Sequence, residues 1–162
     1  MIVSKRILIS LAAALFWASP SAAQSPGLAL SVGIFDFTQN RRAIEAGIEF
    51  RLAKVHAFDL DLTPTFGVAA NGDGAFWAYT GFRWDLDLGE KWILTPSFAI
   101  ALYEQGAGKD LGHEIEFRSG LEIARRIAKG RVGLTLYHLS NGSISERNPG
   151  EESLTFTWSY GR

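Results

Sequence analysis

Near the end of the chain His138 and Ser140 stand two residues apart, and Glu152 follows after a loop. These three residue types can make a hydrolase. One imidazole nitrogen takes the proton of the serine hydroxyl, and a carboxylate on the other nitrogen orients the ring and supports its positive charge. Type alone decides little, because His, Ser and Glu are common wherever strands run out into loops. The chemistry exists only if the fold brings all three to one face at contact distance.

The elements that would do so are strands. From Gly27 onward no stretch keeps a 3.6-residue repeat, whereas alternation with period two recurs in segments closed by Gly, Asn, Asp or Lys. Eight strands are expected, over 27–37, 42–53, 58–69, 75–88, 91–104, 113–126, 130–140 and 152–160. In the second, Ile44, Ala46, Ile48, Phe50 and Leu52 share one face while Glu45, Gly47, Glu49 and Arg51 share the other. The third and sixth repeat the pattern, with Asp59, Asp61, Glu116, Arg118 and Glu122 on the polar side.

Alternation alone would also suit a soluble, lipocalin-like barrel with its apolar face inside. Mixed charges interleaved with Gly, Thr and Ser suit a narrow lumen equally well, so the aromatic residues decide. With the N-terminus in the periplasm, Phe35, Phe37, Trp77, Tyr103, Phe117 and Tyr137 fall at the outer ends of strands, and Trp84, Trp92, Trp158 and Tyr160 at the inner ends. Two aromatic girdles would follow, as in a membrane barrel. Connections near 54–57, 89–90 and 127–129 are short and those near 103–113 and 141–151 longer, matching periplasmic turns and outside loops. The fold class is therefore all-β: an eight-stranded antiparallel transmembrane β-barrel, closed and filled by side chains. Pro64 and Pro96 lie inside segments and remove ladder donors, so a bulge or strand end is expected at each.

Parity then places the chemistry. Val132, Leu134 and Leu136 are outward in the seventh strand, and the next two positions of that face are His138 and Ser140. Two steps back from outward Leu154 in the eighth is Glu152. An unbulged hairpin would set His138 opposite Glu152, with Cβ atoms roughly 4.5–5.5 Å apart. Three polar residues on a lipid face cost free energy and call for a reason. Glu151 has the opposite parity, and His56 and His113 lie in or beside turns and read as solvated.

At the N-terminus, Lys5 and Arg6 precede the apolar run Ile7 to Trp17 and a small-residue exit ending at Ala23. That is a secretory signal peptide over 1–23, too short to span a bilayer, which leaves 24–162 as one outer-membrane β-barrel domain. The chain has no cysteine, so disulfides and thiolate metal sites are excluded. A net charge of −1 without a basic block gives no reason to expect nucleic acid. No metal site or cofactor is expected, and Asn71-Gly-Asp-Gly74 reads as a hairpin turn, too short for a calcium loop.

The run Tyr137-His-Leu-Ser-Asn-Gly142, with Asn148 and Glu152-Ser153 beyond the loop, resembles the PagL-type lipid A 3-O-deacylases. The resemblance implies an outer-membrane barrel in which His138 is the base, Ser140 the nucleophile and Glu152 the orienting carboxylate. It also implies that Asn141 and Asn148 lie at the oxyanion site, with Gly142 where a small residue is usual. Lipid A within lipopolysaccharide would be the substrate, cleaved at its 3-position ester in the bacterial outer membrane. The residues by themselves reach only a lipid esterase. A non-catalytic barrel serving adhesion or envelope integrity, and an outer-membrane phospholipase, are the competing readings.

Overall fold

The computed structural model describes residues 26–161, all strand, turn and loop, with the expected signal peptide outside the described residues. Ten strands occur: β1 (Gly27–Phe35), β2 (Ala43–Arg51), β3 (Val55–Ala57), β4 (Leu60–Asn71), β5 (Phe76–Trp84), β6 (Leu86–Leu88), β7 (Trp92–Glu104), β8 (Ile115–Ile127), β9 (Gly130–Ser140) and β10 (Glu151–Tyr160). β2 and β3 both pair with β4, and β5 and β6 both pair with β7, so the ten make eight staves. β1 pairs with both β2 and β10, which closes an antiparallel barrel. Closure pairs the long strands on both sides, leaving only the short β3 and β6 with one neighbour each among the described residues, and pairing on both sides is the condition for crossing a membrane with strands.

The two prolines explain why two staves are broken. Arg51 faces Thr65 and Val55 faces Leu62, so three residues between β2 and β3 oppose two in β4, and Pro64 is one of those two. That is a bulge. Pro96 lies in β7 against Trp84, the last residue of β5, where pairing with β7 stops after Arg83 and resumes at Leu86 of β6 without a change of register. One expected connection moves: residues 55–57 form a strand, and the chain reverses at Phe58 and Asp59, both with positive φ (54° and 59°). Positive φ at both central residues is the type I′ geometry that matches strand twist. His56 is exposed, as expected, with its Nδ1 3.0 Å from Asp61 Oδ1 across this hairpin.

Outside, the staves present Leu30, Val32, Ile48, Phe50, Phe66, Ile100, Leu134 and Phe156, all exposed. Inside is an ion-paired core. Glu122 accepts from Arg83 Nη2 (2.7 Å) and Arg51 Nη2 (3.4 Å) and is ion-paired with Arg131 Nε at 3.0 Å, and Glu49 takes Arg51 Nε at 2.8 Å and Arg83 Nη1 at 3.3 Å. Arg118 lies over the rings of Tyr79 and Tyr137, and the Tyr137 hydroxyl donates to Glu45 at 2.7 Å. Two charges taken from water are tolerable only when fully paired, and here each glutamate is shared among arginines.

The outer aromatic girdle is not formed as expected. Phe35, Trp77, Tyr103 and Tyr137 point into the lumen and are buried, with Phe35 5.6 Å from Trp77 and 6.5 Å from Tyr103 between ring centroids. Their parity is that of the inward charges: Trp77 is in phase with Arg83, and Tyr137 with Thr135. With Leu111 and Leu139 they close the lumen beneath the outer loops. At the other end Trp92, Trp158 and Tyr160 do face outward.

Because Glu122 neutralises three guanidinium groups, Glu122→Ala should lower barrel stability by about 3–5 kcal/mol, the cost of stranding buried charge. A urea unfolding series in detergent micelles, followed by the gel shift between folded and boiled protein, reads the change.

Candidate active site

β9 and β10 pair without a bulge, Leu136 facing Leu154 and His138 facing Glu152. Cross-strand partners share a face, so imidazole and carboxylate meet. His138 Nδ1 lies 3.2 Å from Glu152 Oε1, both side chains being partly exposed. The other oxygen, Oε2, accepts a 2.6 Å hydrogen bond from Thr38 Oγ1, a residue of the 36–42 loop that joins β1 to β2. Ser140, the last residue of β9, is on the face of His138 and faces Phe117 of β8. Among the described residues its hydroxyl makes no hydrogen bond, and His138 Nε2 has no partner either. Hydrogen bonds between a nucleophile and its base are often long before substrate arrives.

Glu151 goes the other way, as its parity requires. It is fully buried and inward, accepting from the Asp36 amide (3.2 Å) and the Ser153 hydroxyl (3.0 Å).

Loop 141–150 is held from within. The buried Asn141 donates through Nδ2 to the carbonyls of Leu111 (2.9 Å) and Arg147 (2.8 Å), and its Oδ1 accepts from the Ser143 amide. Its side chain is thus occupied in folding this loop on itself and in tying it to the 105–114 loop through Leu111. The Asn141 backbone N–H donates to Asn148 Oδ1 at 3.0 Å, which leaves Asn148 Nδ2 without a partner among the described residues. Gly142 has φ +60°, and a Cβ there would press on the Phe117 ring at 3.0 Å. His113, beside β8, accepts the Ile115 amide through Nδ1 and stays away from the pair.

Two residues at the site escape sequence reasoning. Gly150 (φ +61°) packs its backbone on the catalytic-type ring: a Cβ there would lie 2.6 Å from His138 Cε1 and 3.2 Å from Nε2. The Pro149-Gly150 pair just before the last strand is the only sequence trace of it. Thr38 is far in the chain from Glu152, the residue it bonds. Barrel closure is the signal that could have found it, since closure places the top of β1 beside the start of β10.

A closed antiparallel sheet, apolar outside, ion-paired inside and with short turns at one end, is a bacterial outer-membrane β-barrel. Comparison with known proteins makes the class specific. The family model described as lipid A 3-O-deacylase (PagL) matches residues 9–161, and the chain belongs to that family, whose members are carboxylic ester hydrolases. The lipid A deacylase PagL of Bordetella bronchiseptica is 28% identical over 171 residues, covering 95% of this chain and 92% of the relative. A crystal structure of the outer-membrane enzyme PagL superposes with a TM-score of 0.65 at 16% identity, over 83% of this chain and 98% of that one. A de novo designed transmembrane β-barrel also superposes, with a TM-score of 0.58 at 9% identity, over 89% of this chain and all of that one. At those identities the two structures speak for the fold.

Gly150→Ala should leave the barrel folded while displacing the His138 ring, and a displacement near 1 Å costs about a hundred-fold in turnover. Release of fatty acid from lipid A by folded protein, with wild-type gel mobility as the folding control, checks it.

Proposed function

We propose that the chain removes the 3-position acyl chain of lipid A by a Ser-His-Glu mechanism at the lipid-facing rim of the barrel. The observation that carries this reading is the His138–Glu152 contact across an unbulged β9–β10 pairing, with Ser140 next along the same face. Glu152 holds Nδ1–H, which fixes the tautomer that leaves Nε2 free to accept a proton.

Ser140 Oγ attacks the ester carbonyl as His138 Nε2 takes its proton. The carbon bonded to the lipid A 3-oxygen then loses that oxygen, which leaves with the proton from His138. Water, deprotonated by the same imidazole, attacks the acyl-Ser140 carbonyl, and the bond to Ser140 Oγ breaks as His138 returns the proton to it, releasing the fatty acid and restoring the serine. The negative oxygen of each tetrahedral intermediate needs donors, and the Asn148 amide Nδ2 with the Gly142 backbone N–H are the groups assigned to it. Asn141 acts one step back by fixing where Asn148 and Gly142 stand.

Outward placement gives the site its substrate. The positions that continue below His138 on the same face are Leu136 and Leu134, and below Glu152 is Leu154, all exposed and apolar. Such a strip lies along an acyl chain while the ester sits at the polar rim. No chain has to leave the bilayer for the reaction to occur.

Ser140→Ala and His138→Ala should each lower deacylation by about a thousand-fold or more, and the double variant should be little worse, because members of such a set act as a unit. Glu152→Ala should cost less. Mass spectrometry of lipid A incubated with each folded variant reads the loss of the acyl chain, and a wild-type rate for Ser140→Ala would remove the nucleophile assignment.

Proton transfer to His138 generates the nucleophile without a metal, so turnover should be unchanged in excess chelator. Activity abolished by chelator and restored by calcium would favour the phospholipase reading.

A further inference from the structure

We infer that Thr38 is a positioning residue for the reaction: its hydroxyl, delivered across the β1–β10 seam, fixes the rotamer of Glu152 and through it the orientation of His138. The inference rests on the Ser-His-Glu reading of the site.

Glu152 stands near the start of β10, partly exposed, with His138 across from it and apolar Leu154 next along the same face. A glutamate has three side-chain torsions, and a single contact with His138 leaves the far oxygen free to swing. Thr38 removes that freedom by donating to Oε2 at 2.6 Å while Oε1 faces the imidazole at 3.2 Å. A hydroxyl has one proton to give, and here it goes to the acceptor-only carboxylate, so the bond is charge-assisted.

Thr38 is itself held firmly for a loop residue. The Phe37 amide donates to the Glu152 carbonyl at 2.9 Å, so the residue preceding Thr38 extends the β1–β10 ladder by one bond. Asp36, buried and in the left-handed region (φ 54°), receives Lys109 Nζ on Oδ1 at 2.7 Å and the Arg41 amide on Oδ2 at 3.2 Å, and donates its own amide to Glu151. Lys109 also reaches Gln39 Oε1 at 3.1 Å. The 36–42 loop is therefore clamped on both sides of Thr38: before it by the Phe37 backbone bond to β10 and the Asp36–Lys109 ion pair, and after it by the hydrogen bond from Lys109 to Gln39. The exposed side chain of a loop threonine needs no such clamp to be solvated, but it needs one to hold a carboxylate.

A double-mutant cycle separates this from a general structural role. With purified lipopolysaccharide in detergent as substrate, Thr38→Val should lower kcat about ten-fold, the cost of one hydrogen bond to a charged group, and leave KM unchanged. Thr38→Ser, which keeps the donor, should restore kcat to within about two-fold of wild type. In a Glu152→Ala background Thr38→Val should cost nothing further, because the acceptor it serves is gone. Equal losses in both backgrounds, or wild-type kcat for Thr38→Val alone, would overturn the inference while the Glu152→Ala loss upheld the reading beneath it. Wild-type turnover for Glu152→Ala would overturn both. Heat-dependent gel mobility of every variant confirms that folded barrels are compared.

Discussion

A sheet closed on itself has no free edge, so every ladder must be in register with two neighbours at once. That constraint governs the whole molecule. It fixes for each residue whether it faces in or out, and one slipped ladder would reverse every side chain of a stave and break its pairing on the opposite side. The offset between β2–β3 and β4 is admitted at Pro64, where a donor is missing in any case. Between β9 and β10 the pairing runs without interruption, and the His138–Glu152 contact inherits its geometry from that regularity.

Inside, the same constraint produces a cost. Half of each stave faces the lumen, and the sequence fills its middle with charge. Glu49 is shared between Arg51 and Arg83, Glu122 among Arg51, Arg83 and Arg131, and Arg131 also takes Asp85, so that none of these arginines or glutamates depends on a single partner. Above it the rings of Phe35, Trp77 and Tyr103 and the side chains of Leu111 and Leu139 seal the outer end. The rim on which the candidate site is built thus stands on a packed plug, and the loops carrying Asn141, Lys109 and Asp36 tie to each other across it.

Most of the architecture is legible in the sequence because period two is a local signal. Strand bounds agree with the structure to within a few residues, and the shared face of His138, Ser140 and Glu152 follows from counting. What fails is what counting by height alone cannot see. Phe35, Trp77, Tyr103 and Tyr137 stand at the outer ends of strands as expected, yet their phase with Arg83 and Thr135 sends them inward. The hairpin at Phe58–Asp59 escapes because neither residue is a glycine, although both take positive φ. Asn141, Asn148 and Gly142 are visible as a motif, but only the hydrogen bonds reveal that the first of them spends its whole amide on the loop. Thr38 and Gly150 depend on contacts between distant or irregular segments, for which no periodicity exists.

The pairing of β1 with β10 has a consequence for when the protein becomes competent. Those are the first and last strands of the barrel, and their ladder is the one that joins the two ends of the chain. Glu152 belongs to one side of that join and Thr38 to the loop on the other, so the carboxylate receives both of its partners only after the sheet has become a cylinder. With the terminal strands apart the carboxylate would have the imidazole of its own hairpin and nothing on its far oxygen. Closing the cylinder supplies that second restraint, so the last ladder to form is also the one that completes the surroundings of Glu152.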